Sequence, residues 1–142
     1  MSKQIDPRGP RFGAVITTLV VAGALITLPS TTALVLLSIQ LIVHGIGAFV
    51  GLSSSPYAFI YRKLVLPRIG KPVELEDENP PRFAQLVGFF FAGGALVALL
   101  LQATVVAQII VALHLAASFL NAAFNFCLGC QMYLIGKRIF NN

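Results

Sequence analysis

Cys127-Leu128-Gly129-Cys130 is the most compact reactive grouping in the chain. Two thiols at this spacing suit exchange chemistry, because one thiolate attacks a partner sulfur and its neighbour resolves the mixed disulfide. The same pair could serve sulfur transfer, pack as an inert structural pair, or supply two of the four ligands that a structural zinc site needs. Two facing pairs in a dimer would complete such a set, but nothing in the sequence indicates it, and no metal site is expected. If the apolar run before the pair continues as one helix, the thiols face its negative end, which works against a thiolate. A break at Gly129 would reverse that.

Polar side chains inside apolar runs form a second grouping, costly in hydrocarbon unless they face the interior of a bundle. His114, Ser118, Asn121 and Asn125 follow at spacings of four, three and four, one stripe on a helix. Gln40 and His44 begin a similar stripe, continued by Gly47 and Gly51. Two histidines at comparable depth could ligate a b-type haem axially or hold a quinone headgroup. Interhelical hydrogen bonding that fixes helix register asks for less, at about 0.6 kcal/mol per contact. It is the preferred reading, and no cofactor is expected. At about 100° per residue, a regular helix turns Cys127 and Cys130 away from the stripe. No P-loop, G-x-G-x-x-G, H-E-x-x-H or G-x-S-x-G is present, so kinase and hydrolase readings lack parts.

These groups must be held by membrane spans. The chain has 142 residues, of which 57% are hydrophobic and 11% charged, and its mean hydropathy is +0.86, too oily for a soluble fold. A span needs about 17 to 25 mostly apolar residues to cross about 30 Å of hydrocarbon. Four runs qualify, 12–28, 32–52, 83–101 and 104–126, and none contains Asp, Glu, Lys or Arg. The sequence therefore predicts one all-α transmembrane domain over 1–142 with four spans and a loop at 53–82.

The basic residues set the expected orientation, since loops rich in Lys and Arg stay cytoplasmic. Lys3, Arg8 and Arg11 precede the first span; Arg62, Lys63, Arg68, Lys71 and Arg82 lie between the second and third; Lys137 and Arg138 follow the fourth. The short connections at 29–31 and 102–103 carry no charge. We expect a multi-pass protein of the bacterial inner membrane with both termini cytoplasmic. The net charge of +5 then reads as topology and contact with anionic lipid, with no nucleic-acid partner. Tyr57, Tyr61 and Tyr133 flank the same side, where aromatic rings sit at headgroups.

Pro10-Arg11-Phe12-Gly13 opens the first span and Pro81-Arg82-Phe83-Ala84 the third. In that register Ala22-Gly23-Ala24-Leu25 falls on Gly93-Gly94-Ala95-Leu96, and a one-residue shift brings His44 onto His114. This predicts two hairpin repeats of the same orientation, related by a pseudo-two-fold axis along the membrane normal. A basic start before an apolar run and Thr31-Thr32-Ala33 also fits a secretory leader, but the repeat argues for a permanent helix. Each Arg is expected to snorkel to phosphate. Gly47, Gly51, Ala112, Ala116 and Ala117 are expected to let helices approach closely.

In the loop, Ser55 is a plausible N-cap and Pro56 a first-turn residue of a short interfacial helix with Tyr57, Ile60, Tyr61, Leu64 and Val65 on its apolar face. Glu74 to Glu78 form an acidic run, read as solvated surface, a docking patch, or partners for Arg62, Lys63 and Arg68.

Several segments together resemble a domain-of-unknown-function family of bacterial, largely actinobacterial, membrane proteins. They are Asp6-Pro7-Arg8-Gly9-Pro10-Arg11-Phe12, Ser55-Pro56-Tyr57, Glu76-Asp77 with Pro80 to Gln85, and Asn121-Ala122-Ala123-Phe124 leading to Cys127-Leu128-Gly129-Cys130-Gln131-Met132-Tyr133. The resemblance implies a four-helix inner-membrane protein of no established activity, whose relatives accompany thioredoxin-like or rhodanese-like proteins. It tilts the expected function toward a cytoplasm-facing thiol-redox or sulfur relay through Cys127 and Cys130. The alternative is a non-enzymatic bundle, acting as a small transporter, accessory subunit or assembly scaffold.

Overall fold

The computed structural model describes residues 3–141. Along the chain come β1 (Gln4–Ile5), α1 (Arg8–Thr27), α2 (Thr31–Gly45, prolonged by a π-helical turn at Ile46–Val50) and α3 (Pro56–Ile60). A second π-helical turn, Tyr61–Val65, leads into α4 (Leu66–Ile69), and β2 (Glu76–Asp77), α5 (Asn79–Leu100), α6 (Thr104–Phe124) and α7 (Leu128–Phe140) follow. The spans Arg8–Thr27, Thr31–Val50, Asn79–Leu100 and Thr104–Phe124 are long and apolar enough to cross a membrane. The fold is that of an all-α membrane bundle.

α1 packs against α2 and α6, and α5 packs against α2, α6 and α7, so the long helices close a ring in the order α1, α2, α5, α6. Val21, Leu37, Ala24, Ala95 and Val111 meet in its core. Many buried positions are small, including Ala14, Ala24, Ala33, Ala92, Ala98 and Ala107, as expected where lipid removes the hydrophobic drive between helices. Ala112 and Ala116 do not share this role: the buried stripe of α6 is Ala107, Val111, His114 and Ser118, and both alanines lie exposed outside it. Large apolar residues such as Leu19, Ile26, Phe90 and Leu100 are exposed, the surface that hydrocarbon would cover.

Helix ends differ from the apolar runs for local reasons. α1 starts at Arg8 rather than Phe12 because the Asp6 carboxylate accepts from the Arg8 N–H and the Asp6 carbonyl from that of Gly9. α5 starts at Asn79, whose N–H donates to Asp77, with Pro80 and Pro81 in the first turn where their missing donors cost nothing. Neither arginine of the two Pro-Arg-Phe segments is left only for phosphate. Arg11 donates to the carbonyls of Ala122 and Ala123 at the end of α6, and Arg82 to that of Ala48 at the end of α2. These last-turn carbonyls lack helical partners and carry the negative end of the dipole, so a guanidinium satisfies both.

Ser55 caps α3, its hydroxyl accepting from the Tyr57 N–H. Two of the tyrosines turn inward instead of sitting at headgroups: Tyr57 Oη donates to Gln40 Oε1, and Tyr61 Oη to Asp6 Oδ2 at 2.6 Å. Tyr133 packs on Phe83, ring centroids 5.9 Å apart. β1 and β2 pair antiparallel, Gln4 with Asp77 and Ile5 with Glu76, tying the N-terminal segment to the acidic run. The buried member of that run, Glu78, faces Arg82 at 3.8 Å, while Arg62 reaches the Ser53 carbonyl.

Candidate functional site

The helix that carries the polar stripe stops before the cysteines. Asn125 takes a left-handed conformation (φ 55°, ψ 33°), and the N–H groups of Asn125 and Phe126 close on the carbonyls of Asn121 and Leu120. Asn tolerates this conformation better than other residues with a side chain, which makes it a natural stop. α7 then begins afresh. Cys127 is its N-cap, with Sγ accepting from the Cys130 N–H at 3.1 Å, and the two sulfurs are joined in a disulfide. The expectation that the pair faces the negative end of a long helix is thereby corrected: it sits at a positive end, where a sulfur anion is favoured.

The break lies at Asn125, not at Gly129. Gly129 belongs to α7 and lets it lie against α5: a Cβ there would come within 2.6 Å of both Cα and Cβ of Ala84. α7 is amphipathic and follows α5 rather than continuing α6.

Gln40, His44 and His114 meet in one buried network. Gln40 Nε2 contacts Thr17 Oγ1 at 3.2 Å and His44 Nε2 at 3.0 Å; His44 Nδ1 contacts Gln85 Oε1 at 2.8 Å; and the two histidine Nε2 atoms lie 3.2 Å apart. One set of tautomers satisfies every contact: His44 protonated on Nδ1 donates to Gln85, while its Nε2 accepts from Gln40 and from a His114 protonated on Nε2. Tyr57 completes the network by donating to Gln40, and burial pushes its hydroxyl up to about 12, so it remains a donor. Among the described residues no enclosed side-chain nitrogen or oxygen lacks a partner. Phe91 lies nearly parallel to the His114 ring, 22° between planes and 5.8 Å between centroids. Gly88 makes room for His44, since a Cβ there would stand 2.7 Å from its ring.

The remaining stripe residues behave differently. Ser118 Oγ donates to the His114 carbonyl of its own helix, Asn121 is half-buried, and Asn125 is exposed and serves as the helix stop. Gly47 receives the Gln85 side chain, which a Cβ would meet at 2.9 Å.

A cavity of about 690 Å³ joins the two groupings. Its walls include His44 and His114, Asn121 and Asn125, and both cysteines. The helical turn alone placed the cysteines away from the histidine stripe; because α7 folds back across α5, they share one cavity with it.

The cavity, the histidine network and the disulfide all fall inside one family match: a model described as "Domain of unknown function (DUF4395)" covers residues 5–138. The chain belongs to that family. No curated protein and no solved structure matches it. The match runs from β1 almost to the end of α7, so both groupings are parts of the family's own domain and not of an appended tail.

Thr17, Tyr57 and Gln85 were not read from the sequence as site residues. Gln85 carried a usable signal, since it is an amide inside an apolar run, the criterion that singled out Gln40. Tyr57 lies outside the spans and Thr17 is an ordinary span residue, so neither stood out.

Proposed function

We propose that this protein is a membrane-embedded thiol–disulfide relay working at the cytoplasmic face of a bacterial inner membrane. The observation that carries the reading is the Cys127–Cys130 disulfide at the first turn of α7, half-buried and beside a cavity. A thiolate of a thioredoxin-like or rhodanese-like cytosolic partner attacks one sulfur of the disulfide and forms a mixed disulfide. The partner's second thiol then displaces it. Two electrons pass to Cys127 and Cys130, which leave as thiols, and the partner is oxidised to a disulfide. Once the pair is reduced, sulfur relay uses the same residues: one thiolate attacks the outer sulfur of a partner persulfide, the partner leaves as a thiolate, and the persulfide passes to this chain.

The orientation rests on the one-sided distribution of Lys and Arg. The two-hairpin arrangement is supported by matching contacts: α1 and α5 each pack against α2 and α6, and Arg11 and Arg82, equivalent in the repeat, each cap the opposite hairpin's second helix. In that arrangement His44 and His114 are equivalent residues meeting near the axis.

Replacing both cysteines by Ser tests the relay. Growth on limiting sulfur should fall, and single-cysteine variants should trap a thiol-containing partner; unchanged growth together with an unchanged set of trapped proteins would sink it.

A second reading has one specific support, the complete satisfaction of the polar core. A bundle built only to pack, as a scaffold, accessory subunit or small transporter, would then depend on His44 and His114 and be indifferent to the cysteines. Haem enters neither reading. Two axial bonds of about 2 Å each would hold the nitrogens about 4 Å apart, whereas they hydrogen-bond at 3.2 Å. A Soret band in the purified protein would reverse that statement.

A further inference from the structure

The relay needs somewhere to pass its electrons, and the cavity has the composition for it. Its volume of about 690 Å³ falls in the range of sites for small organic ligands. Leu113 of α6 and Met132 and Leu134 of α7 line it and are also exposed, so one part of its rim is apolar, while Arg11, Glu76, Asn125 and Gln131, exposed as well, make another part polar. A ligand with an apolar tail and a polar head suits such a rim. Phe91 supplies a flat aromatic wall beside His114.

The polar groups inside are few and specifically placed. In the tautomer set above His114 spends its Nε2 proton on His44, which leaves Nδ1 as an acceptor. Among the described residues no partner meets Nδ1, and every fully enclosed side-chain nitrogen has a partner, so Nδ1 reaches open space. Asn121 lines the same cavity one face-repeat further along α6. Seven residues of helix separate the two, about 10.5 Å at 1.5 Å per residue. A para-hydroquinone, roughly 5 Å between its oxygens, gives a hydroxyl proton to Nδ1 at one end and accepts from the Asn121 amide at the other, and with hydrogen bonds of about 2.8 Å it spans about 11 Å. Ala117 lies between them and also lines the cavity, leaving the slot clear.

We propose that the cavity between α1, α5, α6 and α7 binds a lipid-borne quinone, which oxidises the Cys127–Cys130 dithiol. This rests on the thiol-relay reading and names its electron acceptor. Both S–H bonds break and one S–S bond forms; the two electrons and two protons convert the two quinone carbonyls to hydroxyls. The Asn121 amide donates to one oxygen, and His114 Nδ1 accepts from the hydroxyl formed at the other. The disulfide seen in the structure is the product state of this half-reaction.

The test uses the full-length protein in detergent, reduced, freed of reductant and mixed with a decyl-substituted benzoquinone. Quinone absorbance should fall in step with thiol loss, one quinone per dithiol. Binding is read separately by tyrosine fluorescence quenching in Cys127→Ser/Cys130→Ser, which cannot turn over. Ala117→Phe should weaken that binding about tenfold or more, and exchange of Cys127 and Cys130 with an aromatic disulfide reagent is measured on the unsubstituted protein. Leu113→Trp, at the exposed mouth, provides a second blocking variant should Ala117→Phe fail to fold. Thiols that exchange with the reagent in a protein that neither binds nor reduces the quinone would overturn this inference and leave the relay standing. Thiols inert toward both would overturn the relay and this inference together.

Discussion

His44 and His114 touch through their Nε2 atoms at 3.2 Å, linking α2 to α6. The contact is unequal in what it supports. His44 also holds Gln40 and Gln85, whereas His114 has no other side-chain hydrogen bond among the described residues. His44→Leu therefore leaves the Gln85 carbonyl oxygen and the His114 N–H without their partner and takes one of three contacts from Gln40, and should cost about 1–3 kcal/mol. His114→Leu should cost less, about 1 kcal/mol or under. Denaturant unfolding in micelles measures both, and equal or reversed costs would contradict the network as drawn.

The glycines give a graded series. Gly129→Ala drives a Cβ into the backbone of Ala84, which cannot move without shifting α7 from α5, so a loss of about 1–3 kcal/mol is expected. Gly88→Ala meets the buried His44 ring and should also destabilise. Gly136 has nothing within 4 Å, and Gly136→Ala should gain about 0.5–1 kcal/mol from helix propensity. Thermal melts followed by far-UV circular dichroism would rank the three; a neutral Gly129→Ala would mean that α7 does not rest on α5.

Cys127 has a structural duty besides its redox one, because its sulfur caps α7. With Cys130→Ser as the shared background, Cys127→Ser keeps an acceptor at the cap and Cys127→Ala does not. The serine variant should be the more stable by about 0.5–2 kcal/mol. The same melts measure it, and no difference would mean the cap contributes nothing.

The tyrosines that turn inward predict an alkaline limit. Burial pushes both Tyr57 and Tyr61 from 10.0 to about 12, with the Asp6 carboxylate adding to the effect at Tyr61. Their folded values are raised, so their contribution is complete below pH 10.0 and is lost as pH climbs through about 12. Tyr57→Phe and Tyr61→Phe should each flatten that loss. Asp6 behaves in the opposite sense. Burial opposes its charge, but hydrogen bonds from Arg8 and Tyr61 outweigh it and hold the carboxyl below 3.8. Its contribution is present above 3.8 and vanishes as pH falls through the lowered value, so Asp6→Asn should remove that acid-side dependence. Unfolding free energies measured across pH would reveal both arms; a wild-type profile flat at each end would refute them.

What the sequence made legible was whatever depends on one segment at a time. Apolar length located the spans within a few residues, because hydrocarbon thickness is a constraint each run meets alone. The Ser55 cap and the Pro80-Pro81 start were equally local. The site was legible only as two separate groupings. Their union depends on a left-handed Asn125 inside a run whose next residue, Phe126, still looks apolar. It depends equally on Gly129 meeting Ala84, two positions with no sequence relation to each other. Likewise, the tyrosines and arginines at the span ends could have served lipid. Their protein acceptors, Gln40, Asp6 and the last carbonyls of α2 and α6, come from elsewhere in the chain.

The pairing of β1 with β2 bears on the order in which the molecule is made. Gln4 and Ile5 leave the ribosome before their partners Asp77 and Glu76, which emerge only about seventy residues later, a long closure for so short a ladder. The hairpin of α1 and α2 is complete while the end that precedes α1 is still unattached. That end is fastened only when the start of α5 appears, so its closure reports that the second hairpin has begun, and a nascent chain stalled before Glu76 would leave Asp6 and Tyr61 without the ladder that holds them in place.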